Sequence, residues 1–294
     1  MIKSTKTDRK RSKRLHEALA PELLSNVADV GARIMSTPAY DMIHKLGFAH
    51  IWGFEPDEGA FAAIEELQQE NATYFKQAIG KKGKATFYRH PIGSISSTFP
   101  IDEASARFLG KFQWIGREIG EIPMALTALD SIKEMPRLDL LKMDLQGGEL
   151  GVLQGGKIAL SEAVAIIPEV RFHRMYEGEP LFGDLDAEFR SMGFKLHKFM
   201  HAKQIVLPSP QKKGFHKRAG ASQLLDGDAV YIRDMALEDM SDNAFKQLAL
   251  MADGVFHSFD LVLSALAELF RRQVVSKASS VNYFKRLTDE VKSK

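Results

Sequence analysis

The sequence predicts an α/β chain with a mostly parallel, doubly wound sheet that ends in an antiparallel hairpin and continues into C-terminal helices. Three observations lead there. Strand-like and helix-like runs alternate along most of the chain, and acidic residues close three apolar strand runs in turn. The last two strand runs are joined by a stretch with no helical period, which suits an antiparallel pair at a sheet edge.

Taken in order, SNVADV is the first strand and a helix follows from about Tyr40. IWGFE, the helical run GAFAAIEELQQE and the strand ATYFKQAIG complete a βαβαβ unit, whose right-handed crossovers place helices on both faces of a parallel sheet. A polar insertion contributes the short strand KATFYR and the Ser-rich loop GSISSTF. The alternation resumes with LDLLKMD, a helix from about Glu149, AVAIIPEV, a helix near LFGDLDAEFRSM, then GFKLHKFM and DAVYIRD. The loop LPSPQKKGFHKRAGASQLLDG separates the last two. Beyond about Ala236, Phe245, Leu248, Ala252, Val255, Phe259, Val262, Leu266 and Leu269 follow gaps of three and four, the spacing of one apolar helical seam. Packing on its own domain accounts for this seam, and pairing of the 245–270 helix with a second copy as a homo-oligomer is the rival. The domain expectation is a flexible basic arm over residues 1–20, an α/β domain over 21–235 and a helical extension over 236–294.

With 294 residues and 45% hydrophobic side chains, the chain can bury a sizeable core. Forty basic and 38 acidic residues give a net charge of +2, which exerts no global pull toward nucleic acid. The absence of cysteine removes disulfides, thiolate nucleophiles and Cys-ligated zinc, and fits a cytoplasmic protein. The basic KSTKTDRKRSKR start lacks a following apolar run, so it does not read as a secretory signal. VFHSFDLVLSALAELF is the most apolar late stretch, and it is shorter than the roughly 20 residues a bilayer span needs.

The acidic strand ends carry the chemistry. Ligands of open α/β sheets bind beyond the carboxyl ends of the strands, which is where Asp29 and Gly31, Glu55 and Asp144 recur. A glycine after a strand end admits a ligand close to the backbone, and a carboxylate after the second strand suits a vicinal diol such as ribose. The competing account of Glu55 is a helix start, because Pro56, Asp57 and Glu58 favour a first turn. The GxGxxG pattern of a pyrophosphate cradle is missing, which argues against NAD. Glu149 reads equally as a cap of the helix it opens, and Lys142 as a strand lysine paired with a carboxylate.

DVGAR, GFEP, the AIG after the third strand, the GSISS loop, TALDSI, LLKMDLQGGELGVLQGG and IPEVRF, in this order, resemble the FkbM family of S-adenosylmethionine-dependent methyltransferases over roughly residues 26–200. The resemblance implies a Rossmann-like class I methyltransferase fold, S-adenosyl-L-methionine as cofactor, and O-methylation of a sugar, glycan or other hydroxylated small molecule. It places Asp29 and Gly31 at the cofactor's methionine end, Glu55 on its ribose, Ala78 and Ile79 beside its adenine, and Asp144 beside the transferring methyl. Three residues depart from the family pattern: Arg33 replaces the usual Asn, Met35 the usual second glycine, and Gln146 an acid, which takes a carboxylate from any metal site.

An alcohol acceptor needs a proton acceptor near the transition state. His173, just past the IPEV strand, is the leading candidate, with Asp144 and Glu169 as alternatives. An N-methyltransferase on the same fold, or a catalytically inactive module that assembles partners through its C-terminal helix, are the rival readings. The basic loop around Phe215 and His216 reads as a mobile segment able to cover a substrate.

Overall fold

A computed structural model describes residues 4–34, 37–117, 120–216, 219–236, 240–288 and 291–292. Its strands are Ser25–Val30 (β1), Ala49–Phe54 (β2), Ala72–Phe75 (β3), Ala78–Ile79 (β4), Gly83–Arg89 (β5), Gly120–Thr127 (β6), Leu140–Met143 (β7), Ala165–Arg171 (β8), Phe194–Ile205 (β9) and Gln223–Arg233 (β10). Seven form one sheet in the order β3-β2-β1-β7-β8-β10-β9. β3, β2, β1, β7 and β8 run parallel, and β10 runs antiparallel to both β8 and β9. This is the class I methyltransferase arrangement expected above, with the switch in strand order between β1 and β7 opening a crevice at their carboxyl ends.

The helices are Lys6–Leu19 (α1), Asp41–Lys45 (α2), Glu58–Glu65 (α3), Glu103–Phe108 (α4), Glu149–Gln154 (α5), Phe182–Ser191 (α6), Asp242–Gly254 (α7), Phe259–Arg271 (α8) and Lys277–Lys285 (α9). Strands buried on both faces are continuously apolar. On one face Val27, Ile51, Leu140, Ile167 and Val230 meet α1, α7 and α8; on the other Ala28, Phe54, Leu141, Ile166 and Val170 meet α5 and α6. Because α2 is only five residues long, the C-terminal helices supply most of the first layer.

The apolar seam at 245–270 is two helices, joined by a turn in which His257 has φ +51°. Gly254 fits there by size: a Cβ would lie 2.3 Å from Ile43 Cγ2. Phe245, Leu248, Val262, Leu266 and Leu269 are buried in the chain's own core, so the intramolecular account of the seam holds.

Within the 1–20 segment expected to be a flexible arm, Lys6–Leu19 is instead a docked helix. Thr5 and Asp8 form a capping box at its start. Leu15 and Leu19 enter the core, while the buried Arg11 donates from Nε to Asp253 at 2.6 Å and Ser12 also bonds Asp253. The basic composition conceals a narrow inward stripe.

Three further elements depart from expectation. α3 stops at Glu65, where Glu65, Glu66 and Glu70 oppose the negative end of the helix dipole. β6 is not predicted because Pro123 interrupts it; β4 pairs only at Leu126 and Thr127, so Pro123 lies on an open edge where no N–H is needed. β9 and β10 extend into residues 201–205 and 223–227, because β9 is an exposed polar edge with no apolar alternation to read.

The insertion between β3 and β7 forms a three-stranded sheet, β4-β6-β5, and a small third core in which Ile95, Ile101, Leu109 and Trp114 pack on Tyr176 and Leu225. It therefore roofs the carboxyl ends of the large sheet. Among the described residues no helix is long and apolar enough to cross a membrane.

Candidate functional site

The crevice begins where β1 and β2 end together. Gly31 and Ala32 both donate backbone N–H groups to the Phe54 carbonyl, at 3.0 and 3.1 Å. Gly31 has φ +84°, and a Cβ there would lie 2.4 Å from the Asp144 carbonyl oxygen, so both conformation and space require glycine.

Beside this junction lies a cavity of about 310 Å³. Val30, Gly31 and Phe54 form its floor, Ala78 and Ile79 one wall, and Leu145 and Leu150 the other. Phe87, Met124 and Leu126 of the small sheet close it from above, with Thr98 and Phe99 of the Ser-rich loop. It is an apolar slot with a polar group at its edge: Gln77 lines it, and the buried Gln77 Oε1 has no hydrogen-bond partner.

Glu55 sits between the lining residues Phe54 and Pro56 and is 7% exposed. The side-chain cap of α3 is Asp57, which accepts from Ala60 N at 2.9 Å, so the helix start engages Glu55 only through the Asp57 N–H. Glu55 Oε1 accepts from Asp57 N at 2.9 Å, while Oε2 takes part in none of the described hydrogen bonds. Burial pushes the carboxyl above its ordinary range. An apolar slot, an unsatisfied amide oxygen and a buried half-free carboxylate fit an adenine ring and a ribose diol.

Asp29 does not line this slot. It is buried on the α7 and α8 side of β1, where Oδ2 accepts from Tyr40 Oη at 2.6 Å and Oδ1 lies 3.3 Å from Lys142 Nζ. Burial works against the Lys142 ammonium, yet the Asp29 and Asp144 carboxylates outweigh it and raise its pKa. The paired-lysine account of Lys142 therefore holds.

Asp144 follows β7, anchored by its N–H to the Val30 carbonyl at 3.1 Å, with an exposed side chain. Gln146 Nε2 donates to Asp144 Oδ1 at 2.9 Å and to Glu169 Oε2 at 2.8 Å. Gln146 Oε1 accepts from Arg171 Nη2 at 2.7 Å and from Tyr176 Oη at 3.2 Å. A carboxylate at 146 would offer no donor to its two acidic neighbours. The buried Arg171 also pairs with Glu169 at 2.8 Å and Asp226 at 3.3 Å. Burial, only partly countered by Arg171, holds the Glu169 carboxyl well above its usual range.

Glu149 clamps the turn after β7. It accepts from Leu145 N at 2.8 Å and Gly147 N at 3.0 Å, so its role is the structural one. Burial, partly offset by Arg171, pushes it up to about 7.

Sequence-predicted residues thus separate into groups. Gly31, Ala78 and Ile79 line the slot and Glu55 flanks it, whereas Asp144 and Glu169 meet through Gln146 on the other side of the switch point. His173 joins neither group. It lies four residues beyond Glu169, its ring stacked on Phe108 at 5.1 Å, and its buried Nε2 lacks a partner. Burial lowers its pKa, against a smaller opposing effect of Asp102. Arg33 comes within 3.4 Å of where a Cβ on Gly93 would stand and acts electrostatically on Glu55, linking the Ser-rich loop to the end of β2. Met35 lies outside the described residues.

The bridging role of Gln146, the hub role of Arg171 and the roof residues Phe87 and Met124 lie beyond what the sequence motifs mark. Arg171 had a signal, since it directly follows the IPEV strand. The roof had none, because an insertion's docking is tertiary.

A family model described as the methyltransferase FkbM domain matches residues 29–196, more than half of the chain. A 2-O-methyltransferase, NoeI, of Sinorhizobium fredii (strain NBRC 101917 / NGR234) is 31% identical over 150 residues, covering 47% of this chain and 60% of that protein. The chain thus matches less than two thirds of that relative's length. Among solved structures, the precorrin-6y C5,15-methyltransferase of Geobacter metallireducens GS-15 is 10% identical with a TM-score of 0.37, covering 79% of this chain and 90% of that one. M. jannaschii TYW2 in complex with AdoMet is 14% identical with a TM-score of 0.33, covering 79% and 78%.

Proposed function

The chain belongs to the FkbM methyltransferase family, and on that premise we propose that it transfers a methyl group from S-adenosylmethionine to a hydroxyl of a sugar or glycan. The observation that carries this reading is Glu55: a buried carboxylate at the rim of an apolar slot, with one oxygen on the Asp57 N–H and the other outside the described hydrogen bonds.

When bound, S-adenosylmethionine supplies an electrophilic methyl group on a sulfonium. Glu55 would accept from its ribose hydroxyls, Gln77 would meet the polar edge of the base, and Ala78, Ile79, Leu145 and Leu150 would enclose the ring. Gly31 lets the β1 end approach without a side chain. The apolar roof excludes water, and the Asp144 turn is held rigidly by Val30 and Gln146, so the protein's contribution to an in-line displacement is alignment. Asp144, exposed at the end of β7, favours an acceptor that donates hydrogen bonds, as hydroxyl groups do. The 2-O-methyltransferase name of the NoeI relative points the same way.

Incubation with isotope-labelled S-adenosylmethionine and a panel of methyl pyranosides and amino sugars tests the reading. Label on a pyranoside oxygen is expected. Label confined to nitrogen would replace O-methylation by N-methylation, and no transfer by a protein that binds S-adenosylhomocysteine would reject both sugar classes.

A further inference from the structure

We propose that Asp228 binds the acceptor hydroxyl and takes its proton. This assignment rests on the O-methyltransferase reading above, and it concerns a residue beyond the 29–196 span that the family model matches.

Strand register brings Asp228 to the site. β7 and β8 align Met143 with Pro168, so the residues that follow, Asp144 and Glu169, stand side by side. β10 aligns Asp228 directly opposite Glu169, and β9 aligns His201 with Asp228. Side chains alternate along a strand, and Leu140, Ile167 and Val230 all enter the core beneath α7 and α8. Lys142, Glu169 and Asp228 lie two residues from these and share that face. The carboxyl edge thus carries Asp144, Glu169 and Asp228 in a row across three neighbouring strands.

Three of the surrounding carboxylates are already engaged. Asp144 and Glu169 accept from Gln146, Glu169 also pairs with Arg171, and Asp226 is held by Arg171 and by Lys203 at 3.0 Å. Asp228 is exposed and takes part in none of the described hydrogen bonds or ion pairs. The charged groups that act on it are Asp144, Lys142, His201 and Asp226, with Glu169 across the strand pair. Desolvation by the surrounding protein, and then the Asp144 carboxylate, raise its proton affinity above that of an ordinary carboxylate, the direction that suits a general base. His173, four residues past Glu169 and stacked on Phe108, is outside this row.

In the step, an acceptor oxygen lone pair forms the bond to the methyl carbon as the carbon–sulfur bond breaks with its electrons going to sulfur. The hydroxyl proton passes to the Asp228 carboxylate, and the products are the methyl ether and a neutral thioether.

The test compares the full-length wild type with Asp228→Asn and Asp228→Glu. S-adenosylhomocysteine binding is measured by calorimetry, and methyl transfer to the best pyranoside of the panel is measured from pH 5 to 9. Asp228→Asn should bind S-adenosylhomocysteine as wild type does, lose on the order of 100-fold in kcat with a smaller change in acceptor KM, and lack the acidic limb on which wild-type kcat falls as Asp228 protonates. Asp228→Glu should retain that limb. Wild-type kcat with an intact acidic limb in Asp228→Asn overturns the assignment alone. Bound S-adenosylhomocysteine without transfer to any pyranoside by the wild type overturns the acceptor reading, and this assignment with it.

Discussion

Gln146 shows how a single departure from a family pattern becomes interpretable once its neighbours are known. In the sequence it counts as a lost carboxylate. In the structure its amide donates to Asp144 and Glu169 and accepts from Arg171 and Tyr176, four roles that no acid fills with both neighbours ionised. Gln146→Glu should therefore destabilise the protein by about 2–4 kcal/mol at pH 8, through like-charge contacts and lost donors. The sign with pH follows from linkage. The new carboxyl has a folded-state pKa raised above its unfolded value, so the folded variant binds more protons and its deficit grows as pH rises between those two values. Urea midpoints of wild type and variant at pH 5 and pH 8 check this, and an equal deficit at both would contradict it. The place of Glu55 directly after a strand end, by contrast, was legible in sequence. How Glu55 and Asp57 share the helix start was not, since that depends on which side chain each N–H reaches.

Among the elements, α1 and the pair α7 and α8 illustrate what periodicity conveys and what it omits. The three-and-four spacing from Phe245 to Leu269 locates the helical stripe, and Gly254 marks its break. The partner surface is a tertiary property: these side chains cover the sheet face that the short α2 leaves open. Arg11 falls within the expected flexible basic arm because its type is charged. Its burial depends on Asp253, distant in sequence, which also receives Ser12 and the Tyr283 hydroxyl at 2.7 Å. Asp253→Ala would leave Arg11 buried beside only Asp8, so a loss of about 3–5 kcal/mol in unfolding free energy is expected. A change below about 1 kcal/mol by urea unfolding would contradict the docking of α1. Val262→Asp should abolish the folded state altogether, because Val262 is fully buried in the same core, and a folded variant with only an altered oligomeric state would count against that layer.

At the scale of the whole molecule, alternation of strand and helix runs is enough to place the crevice, because a parallel sheet with right-handed crossovers leaves few positions for a switch in strand order. The order β3-β2-β1-β7-β8-β10-β9 puts that switch between Asp29 and Asp144, whose acidic strand ends had marked it. The roof formed by the insertion, and the convergence of β7, β8 and β10 on one acidic edge, depend on docking and register, which no local pattern encodes. The central claim is that this crevice holds the nucleoside of S-adenosylmethionine, with Glu55 on its ribose. Calorimetric titration of wild type and Glu55→Ala with S-adenosylhomocysteine tests it most directly. Wild-type binding that weakens about 10-fold or more in a normally folded Glu55→Ala is the predicted result, as expected for loss of charge-assisted hydrogen bonds. No binding by folded wild type, or equal binding by the variant, would contradict the account.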